Sequence, residues 1–354
     1  MIWLTWRQFR AQAIAALVIL AAAATYLLLS GLGMHHDYAA DMASCTPLND
    51  CGSMQNQFQG SYNAAFTLLQ LFLIVTPALI GIFWGAPLIG REFENGTHQL
   101  AWNQSVMRSR WLAVKLAGVG IASIATAGLL SYLLTWWAGP LDQINGSRFA
   151  AATFSTRDIV PLGYAAFAFA LGTTAGLLLR RTVPAMAVTL AVFIGLQILV
   201  PATIRPNLLP STTVTFPVNQ ATASQADGIF MNNGGSDVYF AGLPVPQGSW
   251  VISAPPIEDS SGQVVPASSH LDCFPGPAQG PVPAPGQGPV SAKGGGDRFS
   301  QTGACLAGYD LHETVTYQPA SHYWPLQWLE TGIFLTAAAA LSGLCFWRIR
   351  RRQN

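Results

Sequence analysis

Charge is scarce in this 354-residue chain. Lysine, arginine, aspartate and glutamate together make up 9% of the residues, about a third of the share found in soluble globular domains. Hydrophobic residues make up 51% of the chain. This composition excludes an ordinary soluble domain and is typical of a protein whose solvent is largely lipid.

Motifs for nucleotide and metal chemistry are also absent from the sequence. A P-loop needs a glycine directly before its lysine, whereas Lys115 follows Val114 and Lys293 follows Ala292. Neither a HExxH nor a CxxC sequence occurs, so the usual helical zinc and paired-cysteine patterns are missing. We therefore expect no enzyme activity, no bound metal and no cofactor in this chain.

Long apolar stretches dominate what is present. A helix needs about 20 apolar residues to cross a bilayer, and six stretches are long enough. They are approximately Ala13–Gly33, Ala64–Ile89, Leu112–Ala138, Leu162–Leu179, Val183–Ile204 and Leu326–Trp347. The sequence therefore predicts an all-α polytopic membrane protein with six transmembrane helices.

The basic residues predict the orientation of these helices. With a cytoplasmic N-terminus, twelve of the 17 basic residues lie inside and five lie outside. Of the 16 acidic residues, only Glu92 and Glu94 then lie inside. Short cytoplasmic loops carry an excess of lysine and arginine. We therefore expect both termini in the cytoplasm of a bacterial cell and the helices in its plasma membrane.

Four of the five cysteines fall in the predicted outside loops. Cys45 and Cys51 lie in the first loop, Cys273 and Cys305 lie in the last, and Cys345 lies inside the sixth span. Four cysteines allow three pairings. The simplest is two local bridges, 45 with 51 and 273 with 305, which would require an oxidising exterior. The alternative is that the thiols stay free.

The order of these segments predicts three parts. Residues 1–204 hold the first five spans, preceded by the aromatic and basic stretch "MIWLTWRQFR", which we expect to form an interfacial helix. Residues 205–325 are rich in Gly, Pro, Ser and Thr and contain short strand-like stretches such as "TTVTFPV" and "ETVTYQP". They predict a small β-rich extracytoplasmic insert. Residues 326–354 form the sixth span and a basic tail.

One charged stretch, "REFENGTHQLAWNQSVMRSRWLAVK" from Arg91 to Lys115, lies between the second and third spans. Asn95-Gly96 is a strong turn signal, and Thr97 can cap a short helix at His98–Gln104. Setting the topology would need only the basic residues. An apolar centre within a polar rim also suits docking to a cytoplasmic partner.

This stretch resembles the first cytoplasmic loop of type-two ABC exporter permeases, which follows the pattern Glu-x-Gly-Thr, a short helix, then Ser/Thr-Arg-x-x-x-hydrophobic-x-x-Lys. The matching positions are Glu94, Gly96, Thr97, Leu100, Ser105, Arg108, Trp111 and Lys115. The order of spans and insert is similar to that family along the whole chain. The C-terminal "TYQPASHYWPLQWLETGIFL" looks like an actinobacterial branch of it. The large Gly/Pro-rich insert exceeds the family's core pattern.

The resemblance implies a coupling helix within loop 90–111 that fits a groove in an ATPase subunit. The implied coupling residues are Glu92, Glu94, Gly96, Thr97, Leu100, Trp102, Arg108 and Trp111. The partners implied are a cytoplasmic ABC ATPase, which would bind ATP and Mg, and a second permease copy in a homodimer or heterodimer. Membrane lipid is the remaining partner, and no nucleic acid is implied.

Three polar residues inside the spans are candidates for the transport pathway. Glu330 is the only acidic residue in an apolar span, and an intramembrane carboxylate is a functional candidate by default. It lies about one turn from the predicted interface, so it could instead face water. Gln70 and Gln197 are the other two, and helix packing explains them as well as a pathway does.

Two further patterns have a functional and a structural interpretation. His35, His36, Asp37 and Asp41 could bind a metal outside the first span, but a solvated loop is the preferred interpretation. The Gly-x-x-x-Gly patterns "GIFWG" (81–85) and "GTTAG" (172–176) let helices approach closely. They suit either a dimer face or packing within one chain, and we expect the latter.

Two other function classes fit the same topology. An extracytoplasmic ligand sensor or scaffold would use the insert and need no ATPase. A membrane-bound envelope enzyme would need a polar catalytic cluster in residues 205–325, and none converges in the sequence. A secondary transporter would show intramembrane charges and inverted repeats, which are missing. The sequence therefore favours the membrane subunit of an ATP-driven exporter.

Overall fold

The protein is described by a computed structural model. It describes residues 2–44, 51–96, 107–226, 228–232, 237–266, 269, 273 and 296–351. The chain forms two compact units: residues 1–208 with 323–354, and Leu209–His322. The first unit contains the long apolar helices and is called the membrane unit below. The second unit, which interrupts the membrane unit in the sequence, is called the inserted unit.

Eleven α-helices are present in the described residues. In the membrane unit they are α1 (Ile2–Ser44), α2 (Cys51–Ile80), α3 (Ala86–Glu94), α4 (Arg108–Trp137), α5 (Gly139–Asn145), α6 (Ala151–Thr156), α7 (Val160–Leu179), α8 (Thr182–Leu199) and α11 (Tyr323–Arg351). Six helical segments in the described part of the chain are long and apolar enough to cross a membrane. They follow the predicted order, so the prediction of six spanning helices is confirmed.

The first helix is much longer than a membrane span. With 43 residues and a rise of about 1.5 Å per residue, α1 is about 65 Å long, against a hydrocarbon thickness of about 30 Å. It begins at Ile2 and continues without a break. The separate interfacial helix predicted for the first ten residues is therefore not confirmed, because those residues extend the first span.

Two spans contain a π-helical turn. Gly81–Gly85 joins α2 to α3 as a π-helix, four residues after Pro77. Val200–Ile204 extends α8 in the same way, and a 3₁₀ turn at Arg205–Asn207 follows it. A π-turn inserts one extra residue per turn, and such turns are frequent at functional sites. The second of them leads directly into Arg205.

Helix α7 lies at the centre of the membrane unit. In its most apolar stretch 78% of the residues are buried, compared with 6% in that of α1. Its glycines allow this burial. A Cβ atom on Gly176 would lie 2.5 Å from the carbonyl oxygen of Ala86, and one on Gly85 would lie 2.6 Å from that of Phe169. The two Gly-x-x-x-Gly patterns therefore pack against each other within one chain, as the preferred interpretation expected.

The inserted unit contains five described strands, and each predicted strand-like stretch contributes to one. They are β1 (Thr212–Pro217), β2 (Gly228–Asn232), β3 (Asp237–Ala241), β4 (Trp250–Ser253) and β5 (His312–Gln318). The order β1-β5-β4 forms an antiparallel sheet, while β2 and β3 form a second antiparallel pair. Two helices, α9 (Gln220–Gln225) and α10 (Gly296–Leu306), complete the unit.

The core of the inserted unit lies on one face of β5. Glu313, Val315 and Tyr317 are buried on alternate positions of this strand, as the two-residue period of a strand requires. Cys273 and Cys305 form a disulfide beside this core, as predicted. The other predicted bridge involves Cys45, which lies outside the described residues. Cys345 is a buried free thiol in α11.

Candidate functional site

The charged loop between the second and third spans begins with a tight turn. The backbone N–H of Asn95 donates to the carbonyl of Arg91 at 3.1 Å, and Gly96 follows with φ +69°. This left-handed conformation favours glycine, as the Asn-Gly signal predicted. The predicted helix His98–Gln104, with Thr97, Leu100 and Trp102, lies outside the described residues. Only the two ends of the loop are therefore described.

Glu94 connects the first end of the loop to another helix. Its Oε2 atom accepts hydrogen bonds from the backbone N–H of Thr182 at 3.1 Å and from the Thr182 hydroxyl at 2.8 Å. Thr182 is the first residue of α8, and Arg181 before it makes no side-chain cap. The first N–H groups of a helix have no partner within the helix and favour a negative charge. An acidic residue of α3 therefore caps α8.

Glu92 connects the same end of the loop to α4. Its carboxylate pairs with the ammonium of Lys115, whose side chain is 2% exposed. The Lys115 ammonium also lies 4.8 Å from the centre of the Trp111 ring. A buried ammonium without a partner would be very unfavourable, so Glu92 makes this position of Lys115 possible. Trp111 is buried as well. It packs inside the base of the loop, the name used below for the two described ends of the loop, residues 91–96 and 107–115.

Both ends of the loop therefore rest on packed helices. Arg108 begins α4, one turn before the buried Trp111. A cluster of apolar residues from four helices surrounds this base: Ile89, Trp111, Leu112, Leu177, Cys345 and Ile349. Of the eight predicted coupling residues, the structure places Glu92, Glu94, Gly96, Arg108 and Trp111 at this base. The base of the loop is therefore joined to α3, α4 and α8.

A buried polar cluster surrounds Glu330 near the other end of the membrane unit. Arg205 donates from Nε to Glu330 Oε2 at 2.8 Å and from Nη2 to Oε1 at 3.0 Å. The Tyr164 hydroxyl donates to the same Oε1 atom. Arg205 Nη2 also donates to the Ser155 hydroxyl at 2.9 Å. Glu330 and Arg205 are both fully buried, so Glu330 does not face water.

The two glutamines predicted for the pathway have different surroundings. Gln70 is buried and donates to the Thr153 hydroxyl at 2.9 Å, which ties α2 to α6. The side-chain nitrogen of Gln197 is also buried, and it has no hydrogen-bond partner among the described residues. A buried unpaired donor is uncommon and needs an explanation. Neither glutamine contacts Glu330 through a described hydrogen bond.

The short helix α6 lies beside this cluster and makes contacts that the sequence did not indicate. Gln327 of α11 donates to the carbonyl of Phe154 at 3.3 Å and accepts from the backbone N–H of Val160 at 3.1 Å. The ring of Phe154 lies 4.2 Å from the Arg205 guanidinium. Residues of α6 therefore contact the guanidinium of Arg205 and helix α11 together. The hydroxyl residues of this segment, Thr153, Ser155 and Thr156, were the available signal in the sequence. They do not indicate which residues the segment contacts.

Arg157, just after α6, forms a further buried ion pair. It donates to the carbonyl of Leu134 at 2.7 Å and to Asp142 Oδ1 at 3.1 Å. Burial lowers the pKa of Arg157 and raises the pKa of Asp142, and the opposite charge of each partner counteracts the effect of burial. This pair holds the loop between α4 and α7 closed against the end of α4.

The histidine-containing stretch near the end of α1 does not converge on one point. His35 stacks on Trp136 and lies 3.1 Å from its carbonyl oxygen through Nε2. His36 lies 3.7 Å from Asp37 and is largely exposed. Within the described ranges, no group of three His, Cys, Asp or Glu side chains is arranged to hold a metal ion. His35 instead connects α1 to the end of α4.

A comparison with protein families identifies one match. The family described as "ABC-2 membrane transporter related" matches residues 17–205, which is more than half of the chain. The match covers the loop base and ends at Arg205, before the inserted unit begins. No curated protein and no solved structure matches the chain significantly.

Proposed function

This chain belongs to the ABC-2 membrane transporter related family, and we propose that it is the membrane-spanning permease subunit of an ATP-driven exporter. In this proposal the chain pairs with a second permease copy, identical or related. Each copy rests on a separate cytoplasmic ATPase subunit that binds ATP and Mg. Both termini lie in the cytoplasm, and the inserted unit lies outside the plasma membrane, where its disulfide is stable.

The double attachment of the loop base carries this proposal. Glu94 is bonded to the start of α8 and Glu92 to Lys115 of α4. A loop that only set the topology would need neither contact. A loop that transmits force needs both, because a flexible base would absorb the displacement before it reached the spans. The arrangement therefore supports a coupling role for residues 90–111.

ATP would act through this base by changing which conformation is favoured. Closure of two ATPase subunits displaces the loops seated on them, and the base passes the displacement to α3, α4 and α8. A ligand shifts a conformational equilibrium only by its difference in affinity for the two states. In this proposal ATP binds the closed ATPase pair more tightly, and that difference opens the pathway to the other side.

The buried polar cluster has a gating role in this proposal. Glu330 is joined to Arg205, Tyr164 and, through Arg205, to Ser155. It would act by holding α7, α11 and the end of α8 together while the pathway changes access, without touching the cargo. Gln70 and Gln197 remain pathway candidates, and the unpaired nitrogen of Gln197 is the group best suited to meet a polar cargo.

Co-purification tests the proposed function. The chain would be tagged at its C-terminus, extracted from its native membrane in mild detergent, and its stoichiometric partners identified by mass spectrometry. We expect a cytoplasmic subunit that carries a P-loop. Trp102→Ala should remove this partner, because an aromatic residue of the loop is the expected anchor at the interface. Glu94→Ala should weaken the partner's binding by loosening the base.

Two matched variants control this experiment. Trp347→Ala removes an exposed tryptophan from the last turns of α11 and should leave the partner bound. Glu94→Gln keeps an acceptor oxygen toward Thr182 and should bind more partner than Glu94→Ala. If no ATPase co-purifies with the chain under any condition tested, the exporter proposal is wrong. That result would favour a ligand sensor or an envelope enzyme.

A further inference from the structure

The buried cluster around Glu330 leaves one edge of a guanidinium group unpaired. Arg205 donates to Glu330 through Nε and Nη2, which form one edge of this planar group, and Nη2 also donates to the Ser155 hydroxyl. The Nη1 atom lies on the opposite edge. It is buried and has no hydrogen-bond partner among the described residues. Because a fully buried donor is rarely left unpaired, we expect an acceptor at this edge.

A second unpaired donor lies on the same face of the helix. The side-chain nitrogen of Gln197 is buried and has no partner among the described residues either. Two turns of a regular α-helix take about 7.2 residues, and the extra residue of the π-turn Val200–Ile204 raises this to about eight. Gln197 lies eight residues before Arg205. The two side chains therefore share one face of α8 and its π-helical extension.

The cluster extends back along α8 past the position of Gln197. The Tyr164 hydroxyl donates to Glu330, and the centre of the Tyr164 ring lies 6.2 Å from that of Phe193. Phe193 lies one turn before Gln197 in α8, while Arg205 reaches the same carboxylate from the other end of this stretch. The polar cluster therefore borders the part of α8 that contains Gln197.

This part of α8 also lacks one backbone donor. In an α-helix the N–H of residue 201 would bond to the carbonyl of Gln197, but residue 201 is a proline and has no N–H. In membrane helices, ordered water is one of the groups that satisfy a carbonyl freed in this way. The stretch from Gln197 to Arg205 therefore combines two unpaired donors with one acceptor that lacks its regular partner.

We propose that one ordered water molecule binds between Arg205 Nη1 and Gln197, at the π-turn of α8. It accepts from Nη1 and from the Gln197 side chain and donates to the Gln197 carbonyl, which gives it three partners, the usual number for buried water. An anion fits less well, because Glu330 already balances the charge of Arg205 and an anion cannot donate to a carbonyl. The water links Gln197 to the cluster, and a polar cargo at Gln197 would displace it.

The site needs neither ATP nor an ATPase subunit, so its test is independent of the proposed function.

Hydroxyl-radical footprinting tests the site. A short X-ray pulse on the purified full chain in detergent, with any subunits that accompany it, forms radicals from bulk and bound water, and mass spectrometry maps the oxidised side chains. Phe154 is fully buried, and its ring lies 4.2 Å from the Arg205 guanidinium. Phe169 is also buried, within an apolar cluster. We expect Phe154 to be oxidised several times faster than Phe169.

A matched pair of proline substitutions sharpens this test. Pro201→Ala supplies the N–H that the Gln197 carbonyl lacks, so the water loses its acceptor and the oxidation of Phe154 should fall several-fold. Pro77→Ala makes the same change in α2, four residues before the other π-turn, and should leave this oxidation unchanged. Gln197→Leu removes one donor and should also lower it. Slow oxidation of Phe169 in each variant shows that the membrane unit is folded.

Three results would overturn the proposal. Equal oxidation of Phe154 and Phe169 in the wild type would mean that no defined water lies at the cluster. Unchanged oxidation of Phe154 in both Pro201→Ala and Gln197→Leu would place the water elsewhere. An unfolding midpoint that is higher in chloride than in gluconate for the wild type, but not for Gln197→Leu, would identify an anion instead. Because the wild-type comparison alone can reject the proposal, the test does not depend on the folding of the variants.

Discussion

Each of the two units buries one glutamate almost completely, and the two glutamates differ in their partners. Glu330 of the membrane unit accepts hydrogen bonds from Arg205 and Tyr164, and Arg205 also donates to Ser155. Glu313 of the inserted unit accepts one hydrogen bond, from the backbone N–H of Phe240 at 2.8 Å, and its other oxygen has no partner among the described residues. Both side chains are at most 1% exposed.

The difference shows two ways to keep a carboxyl group away from water. A buried carboxylate is tolerated when a guanidinium and further donors satisfy it, which is the arrangement in the membrane unit. Without a cation, the carboxyl group avoids the unfavourable charge by keeping its proton. Burial raises the pKa of Glu313 to about 7, against an ordinary value of 4.5, and the Phe240 N–H reduces the shift only in part.

Removal of one partner of the membrane pair should have the largest effect. Arg205→Met leaves the Glu330 carboxylate buried without a cation, and breaking a buried pair typically lowers the free energy of unfolding by about 3–5 kcal/mol. Arg205→Met with Glu330→Gln removes both charges and should lower it much less. The measurement is the unfolding midpoint of each purified variant in the same mild detergent. Equal losses in the single and double variants would show that the two charges are not coupled.

Glu313, which has no cation beside it, predicts that the stability of the inserted unit depends on pH. Because the pKa of folded Glu313 is raised, the folded state binds the proton more tightly than the unfolded state. Its contribution is therefore most favourable below about pH 4.5 and is lost as the pH rises to about 7. The change amounts to at most about 3 kcal/mol. Backbone hydrogen exchange in β3 and β5 should report lower protection at pH 8 than at pH 5 after correction for the intrinsic rate.

Glu313→Gln is the control for this pH dependence. An amide keeps the acceptor for the Phe240 N–H but does not titrate, so the corrected protection of these strands should change little between pH 5 and pH 8. Identical pH profiles in the wild type and the variant would mean that Glu313 is not the titrating group.

The smallest of the three effects concerns a single hydroxyl group of the membrane cluster. Tyr164→Phe removes the donor to Glu330 Oε1, while Arg205 Nη2 still donates to the same oxygen at 3.0 Å. A hydrogen bond to a charged group contributes about 1.5–3 kcal/mol, and the remaining donor should keep the loss near the lower value. The unfolding midpoint measures it. A loss as large as that of Arg205→Met would mean that Tyr164 holds the cluster as strongly as the arginine does.

Patterns along the chain were sufficient for the spanning helices, because each follows from a run of apolar residues that lipid requires to be helical. They were also sufficient for the Asn95-Gly96 turn and for one bridge, Cys273 with Cys305. The orientation of the termini, the coupling helix and the actinobacterial branch stay predictions.

The partner of Glu330 could not be obtained in this way. Arg205 lies 125 residues before Glu330 in the chain and was assigned to an outside loop, because it follows the last apolar residue of its span. A lone acid in a span does indicate that a partner exists, but many residues at the ends of the other helices could supply it. The same holds for Glu94 and Thr182, which are 88 residues apart.

The sequence by itself determined which segments are apolar enough to cross the membrane, where the charged loop lies and some of the strands of the inserted unit, such as β1 and β5, since these depend on local composition and period. Only the tertiary structure decided which charges are paired and that α7 is central. Pairing and packing depend on how distant segments approach, and the close contact of Gly85 and Gly176 with facing backbone exists only once the helices have assembled.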